Sequence, residues 1–143
     1  MSPAAARAAS AGDSGDSRRF PRIARLTRGS DIQRVIQQGK RIRTVHLDVR
    51  MLASPLAISR VGVIVPRHQQ SAVDRNRLKR RLRELVRLEL LPALPSLREP
   101  PAVDLALRAR REAYRASFEE LARDVLTVRA QLAHADTTRP ANA

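Results

Sequence analysis

One stretch restricts the folds open to this chain more than any other. From Ser71 to Leu91 it reads SAVDRNRLKRRLRELVRLELL, and within RNRLKRRLRE six of ten side chains are cationic and one is anionic. At about 100° per residue, Leu78, Leu82, Leu85 and Val86 fall in one stripe of a helix, and Asn76, Arg80, Arg83 and Arg87 line the opposite side. Arg77 and Arg81 widen the basic face on one flank. Arg75 and Lys79 lie nearer the apolar border, where their aliphatic stems snorkel outward. Ser71 and Asp74 supply a helix start signal, and LPALPSLREPP, with four prolines, stops the pattern after Leu91. A helix so divided needs a partner surface for its leucines and leaves its guanidiniums outside.

The segments on either side provide that surface. TVHLDVRMLA alternates, with Val45, Leu47, Val49 and Met51 on one face and His46, Asp48 and Arg50 on the other, which predicts a half-buried strand. ISRVGVIVP carries Val61, Val63 and Val65 in alternation and predicts an inner strand ending before Pro66; the two strands could form a hairpin. AVDLALRAR sets Val103, Leu105 and Leu107 against Asp104, Ala106 and Arg108. Two more helices frame these strands. SDIQRVIQQG spaces Ile32, Val35 and Ile36 helically behind a Ser30/Gln33 capping pattern, with Gly39 to end it. Ser117 and Glu120 cap a last helix whose stripe is Phe118, Leu121, Val125, Val128 and Leu132. The order α-β-β-α-β-α, with a third strand in the hairpin region left open, predicts a single α+β domain in which helices pack on a sheet.

At 143 residues the chain is the size of one domain. Composition marks residues 1–21 and 134–143 as disordered tails around a folded part at 22–133. The chain has no cysteine, so neither disulfides nor thiolate metal sites are available. No apolar run approaches the roughly 18 residues of a membrane span, and the start lacks a secretory core, so an intracellular protein with no membrane partner is expected. His46, His68 and His134 are scattered without metal-ligand spacing, and no glycine loop of the phosphate-cradling type occurs. Chemistry carried by the protein itself finds little support.

The charge is different. Lys and Arg number 28 against 14 Asp and Glu, a net +14, which points to a polyanionic partner. Along the basic helix, Arg75/Lys79, Arg77/Arg81, Lys79/Arg83 and Arg83/Arg87 are like-charge pairs that cost roughly 0.2–0.5 kcal/mol each. Phosphates remove that repulsion, and the planar guanidinium fork matches them with paired hydrogen bonds. A ribosomal-type RNA-binding protein, or a DNA-binding module with an arginine helix in the major groove, would need the same charges. A basic helix between two strands is not a helix-turn-helix, and that favours RNA and recognition by shape.

AVDRNRLKRRLRE, Ala72 to Glu84, resembles the arginine-rich signature of the bacterial ribonuclease P protein subunit. The resemblance runs from about Arg25 to Leu132, through DIQRVIQQGKR, RVGVIVPR and SFEELARDVL. It implies a protein of the cytoplasm that binds one large catalytic RNA through Arg75, Asn76, Arg77, Lys79, Arg80, Arg83 and Arg87, with no catalytic residue in the protein itself. The RNA would cleave the 5′ leader from precursor tRNA, with Mg2+ held mainly by RNA and substrate phosphates. The resemblance also implies a left-handed crossover through the basic helix, against the general right-handed rule.

The same resemblance implies a cleft between the first helix and the sheet for the single-stranded leader. It maps to Ile32, Ile36 and Leu47, with Arg50 and Arg67 as phosphate contacts and His68 beside them in the cleft. Phenylalanines are usual in that first helix, and Ile32 and Ile36 offer contact without a π-face. In RHQQ, Gln70 stands where a glycine is common, so a differently shaped loop is expected there.

Overall fold

The computed structural model describes residues 20–56, 58–94 and 102–138, with side chains as far as residue 133. Most of the expected tails and of the proline-rich linker lies outside these residues. Three α-helices, α1 (Gly29–Gln38), α2 (Ala72–Leu85) and α3 (Phe118–Thr138), pack on four strands, β1 (Lys40–Arg43), β2 (Leu47–Ala53), β3 (Arg60–Ile64) and β4 (Val103–Ala109). The α+β class is as the patterning predicts. Phe20 is buried in the core and α3 runs on to Thr138, so ordered structure extends past both expected boundaries, residues 22 and 133.

The sheet order is β1-β2-β4-β3. β4 is antiparallel to β2 and parallel to β3, so β3, α2 and β4 form a parallel crossover unit. The expected hairpin between β2 and β3 does not form. β4 lies between them, and β2 instead forms its hairpin with β1, pairing Lys40 with Met51 and Arg43 with Asp48. β1 eluded the pattern because in KRIR only Ile42 is buried, which leaves no alternation to detect. β4 can be central because it is buried on both faces, with Ala106 small enough to sit under α1.

Strand periodicity divides the interior in two. Leu47, Val49, Val61, Val65, Val103, Leu105 and Leu107 face α2 and α3 and meet Leu78, Leu82, Leu85, Leu121, Val125, Val128 and Leu132. Each such side chain contributes about 1.5–3 kcal/mol on burial. Phe118, expected on the α3 stripe, is 41% exposed at the first residue of the helix. On the other face, Ile32, Val35 and Ile36 of α1 cover Leu26, Leu52, Ile64 and Ala106. Gly62 lets the chain cross β3 closely, since an added Cβ would come within 2.7 Å of the Leu26 carbonyl.

The caps hold where the side chains reach. Ser71 Oγ accepts from the Asp74 amide at 3.0 Å, and Ser117 and Glu120 cap reciprocally at 3.1 and 2.9 Å. The Ser30/Gln33 box does not form: α1 starts earlier, at Gly29, and the residue at its cap is Arg28 with no side-chain bond. After Leu85 the basic helix widens into a π-type turn, Val86–Leu90, closed by the Leu91 amide on the Val86 carbonyl at 2.9 Å. That extra residue brings Val86, Leu90 and Leu94 all into the core.

Candidate nucleic-acid interface

α2 realises the division written in its sequence. Leu78, Leu82 and Leu85 are buried, and Asn76, Arg77, Arg80 and Arg83 are exposed. Among the described residues, none of these four side chains has a hydrogen bond or an ion pair. Arg75 is half-buried and donates through Nε to the Val65 carbonyl at 2.7 Å, which ties the first turn of α2 to the end of β3. Burial, then the charges of Arg83 and Arg75, push the Lys79 ammonium below its ordinary range. The helix therefore carries a ridge of positive charge that, Glu84 on Arg87 apart, no carboxylate pairs among the described residues.

Arg87 differs from the other expected contacts. Its guanidinium is bridged to Glu84 at 2.5 Å, and that hydrogen bond lowers the Glu84 pKa and raises that of Arg87. The three-residue spacing on one helix face brings the pair together.

Elsewhere carboxylates hold many of the arginines. Asp104, fully buried on β4, accepts from Arg60 at 3.0 and 2.8 Å and from Arg34 at 2.8 Å. Asp48 accepts from Arg41 at 3.2 and 2.8 Å. Asp124 of α3 accepts from Thr44 Oγ1 at 2.8 Å, from the His46 amide at 2.9 Å, and lies 2.8 Å from His46 Nδ1. Among the described residues no three His, Asp or Glu side chains gather as a metal site requires. No helix among them is long and apolar enough to cross a membrane.

The expected leader cleft is brought together only in part. Ile32 and Ile36 stand half-buried on α1 above the sheet, and Arg50 is beside them, donating to the Ile36 carbonyl at 2.7 Å. Leu47 does not belong there. It is fully buried against α2 and α3, because residues three apart on a strand point to opposite faces and Arg50 takes the α1 side. Arg67 and His68 sit in the turn before α2, where the His68 ring meets Tyr114 edge-on at 6.3 Å. His68 and Gln69 have φ of 49° and 67°, and the Gln70 amide closes the turn on the Arg67 carbonyl at 2.8 Å. The loop is thus shaped without glycine at position 70.

Two exposed arginines on the α1 side of the sheet, Arg43 and Arg108, were not singled out as contacts. Both register with Asp48 across neighbouring strands. The alternation of VDLALRAR already put Arg108 on that face; Arg43 gave no signal because β1 was unseen.

The sequence profile of the Ribonuclease P family matches residues 20–133. The chain belongs to the ribonuclease P protein family. It is 35% identical over 114 residues to the ribonuclease P protein component of Syntrophobacter fumaroxidans, spanning 78% of this chain and 90% of that relative. The component from a Nocardioides species is 39% identical over 104 residues, 71% of this chain and 84% of that one. The RNase P protein of Thermotoga maritima superposes with a TM-score of 0.61 at 26% identity, covering 73% of this chain and 95% of that one. A mutant Staphylococcus aureus RNase P protein shares the fold, with a TM-score of 0.64 at 21% identity over 78% and 89% of the two chains. Membership makes this chain a protein component of ribonuclease P, the holoenzyme that processes tRNA 5′ ends.

Proposed function

We propose that α2 binds the catalytic RNA of ribonuclease P through Asn76, Arg77, Arg80 and Arg83, with Arg75 and Lys79 at the border and Arg87 at the far end. The observation that carries this reading is the set of exposed cationic side chains on α2, Arg77, Arg80 and Arg83, that no carboxylate among the described residues pairs. RNA phosphates supply the missing counter-charge, and the buried leucines keep the ridge rigid. One protein per RNA is expected, acting in the bacterial cytoplasm.

The second contact is with precursor tRNA. The single-stranded leader lies between α1 and the open part of the sheet, against Ile32 and Ile36, with Arg50, Arg43 and Arg108 toward its phosphates. Arg67 and His68 serve the α2 side. Ile32 and Ile36 give the leader apolar contact without stacking, so leader affinity relies more on charge. Mg2+ would be held by RNA and substrate phosphates rather than by this chain, and would supply Lewis-acid charge stabilisation for phosphodiester hydrolysis. The protein's part is to bind and orient.

The test is to purify the chain with its bound RNA from its own cells, sequence that RNA, and assay the complex with Mg2+ on precursor tRNA. A ribonuclease P RNA and a correctly trimmed 5′ end are expected. A ribosomal or other RNA in its place, with no cleavage, would overturn the reading.

A further inference from the structure

On the flank of the arginine ridge, α2 faces a second basic element across an open trough. That element is the 3₁₀ turn Arg111–Arg115, which follows β4 and packs against α2. Between them lies a recess of about 160 Å³, lined by Gln70, Asp74, Arg77, Leu78, Arg81 and Tyr114. It is open on one side and its walls are almost wholly polar. The two walls are fixed to each other. The Tyr114 hydroxyl donates to the Pro66 carbonyl at 2.6 Å, which ties the turn to the segment leading into α2.

Cations line both sides of this trough. Arg77 and Arg81 stand on the α2 wall. On the other wall, residues three apart in a 3₁₀ turn lie one above the other, so Arg111 shares the Tyr114 side, and Arg115 follows directly. Arg111 and Arg115 are exposed, and neither makes a hydrogen bond or an ion pair with a described residue. Glu112, between them in the chain, lies 3.9 Å from Arg110 instead. Arg110 is itself held by the Thr44 and Val45 carbonyls at 2.8 and 3.0 Å. Asp74 is the carboxylate in the lining, and it is exposed.

Such a lining selects a class of ligand. Without apolar walls or enclosure it gains nothing by taking in a base or an aliphatic side chain. It suits a chain that stays hydrated, repeats its negative charge and passes along the trough, which describes a sugar–phosphate backbone. An acidic peptide offers similar charge, but Arg77 belongs to the ridge as well as to the trough, so one polymer meets both.

We propose that the trough carries a stretch of the backbone of the catalytic RNA, with Arg77 and Arg81 on one side of the strand and Arg111 and Arg115 on the other. The proposal rests on the reading that α2 binds that RNA. It adds the turn after β4 to the interface and makes recognition there a matter of backbone path, with no base identity read. Asp74 repels the phosphates it lies beside and so limits affinity.

Full-length protein and catalytic RNA, without substrate, give the assembly affinity over a salt series and a hydroxyl-radical footprint, which reports riboses whatever their base. Arg111→Ala/Arg115→Ala, two exposed changes, should fold as wild type, weaken assembly, and shallow the log–log salt slope by about 2 for two phosphates on the duplex-DNA estimate. It should also lose part of the wild-type footprint. Asp74→Asn should act in the opposite sense, tightening assembly by up to about fivefold, the scale of one unit-charge repulsion across about 4 Å of water. The proposal is overturned if the folded double variant keeps wild-type affinity, slope and footprint, or if Asp74→Asn weakens assembly. A loss confined to the assembled enzyme's affinity for leader-bearing precursor tRNA, measured against leaderless tRNA, overturns it too, because the trough would then belong to the substrate. Arg80→Ala/Arg83→Ala, run in parallel, separates the two levels. If that variant assembles as tightly as wild type, the reading of α2 fails; if it alone loses affinity, that reading stands and the trough holds no RNA.

Discussion

The arginines of this protein fall into two populations, and the contrast between α2 and the α1 side of the sheet shows what separates them. Around α1, Arg34 and Arg60 converge on buried Asp104, Arg60 also reaches Asp31 at 3.5 Å, and Arg41 grips Asp48. The Asp104 hydrogen bond outweighs burial and raises the Arg60 pKa, so this guanidinium remains charged. On α2, Arg77, Arg80 and Arg83 project outward with no carboxylate partner among the described residues. The same residue type is therefore a structural cross-link in one place and an exposed, unpaired cation in the other. What decides is whether a carboxylate lies within reach on a neighbouring element, which composition alone does not report.

Breaking each population should have opposite effects. Asp104→Ala strands two guanidiniums beneath α1, and losing one partner of a buried pair costs about 3–5 kcal/mol. The lower end is expected, because the Arg34 side chain is 29% exposed. A urea titration measures the loss, and the folded fraction should keep its affinity for the catalytic RNA. An unchanged midpoint would mean that the α1 cluster is not a cross-link.

Arg80→Ala/Arg83→Ala should do the reverse, leaving stability within about 0.5 kcal/mol, as exposed substitutions generally do. RNA affinity falls instead. If about six phosphates are neutralised, wild-type affinity drops by about three decades between 50 and 200 mM salt, and the double variant shallows the log–log slope by about 2, using the duplex-DNA estimate. A flat salt dependence in the wild type, or unfolding of the variant, would show that the face had been misassigned.

How much of this could be read in advance follows from which signals are local. The α2 stripe was legible because Leu78, Leu82 and Leu85 repeat at helical spacing, and the Ser71 and Ser117 caps because each reaches only three residues on. Sheet order was not. β4 separates β2 from β3 through pairings between distant segments, such as Val61 with Leu105, that periodicity does not encode. Leu47 was misplaced although its parity was in plain view, since a strand cannot turn Leu47 and Arg50 to one face. Tyr114 was invisible for a third reason: its contact with His68 joins two loops, and loop residues follow no repeat.

Lys79 sharpens the contrast most finely. It is the one lysine on α2, and burial with two neighbouring arginines holds its pKa below the ordinary lysine range. RNA phosphates would restore the charge, raising the pKa again in the complex. Between the lowered free value and the restored bound value, complex formation takes up a proton, so affinity falls as pH rises through that window; below it Lys79 is charged in both states and contributes no pH dependence. Stability moves the other way. The unfolded chain keeps an ordinary lysine and binds more protons than the folded one across the same window, so Lys79 makes stability rise with pH there. Opposite slopes for binding and folding cannot come from alkaline unfolding, which would lower both. Lys79→Arg, which does not titrate in this range, should remove the part of the affinity slope that Lys79 supplies and leave any titration of the RNA bases. Affinity measured by filter binding at constant salt, from neutral pH up to the ordinary lysine range near 10.5, with wild type and variant side by side, decides it: identical slopes would place Lys79 outside the interface.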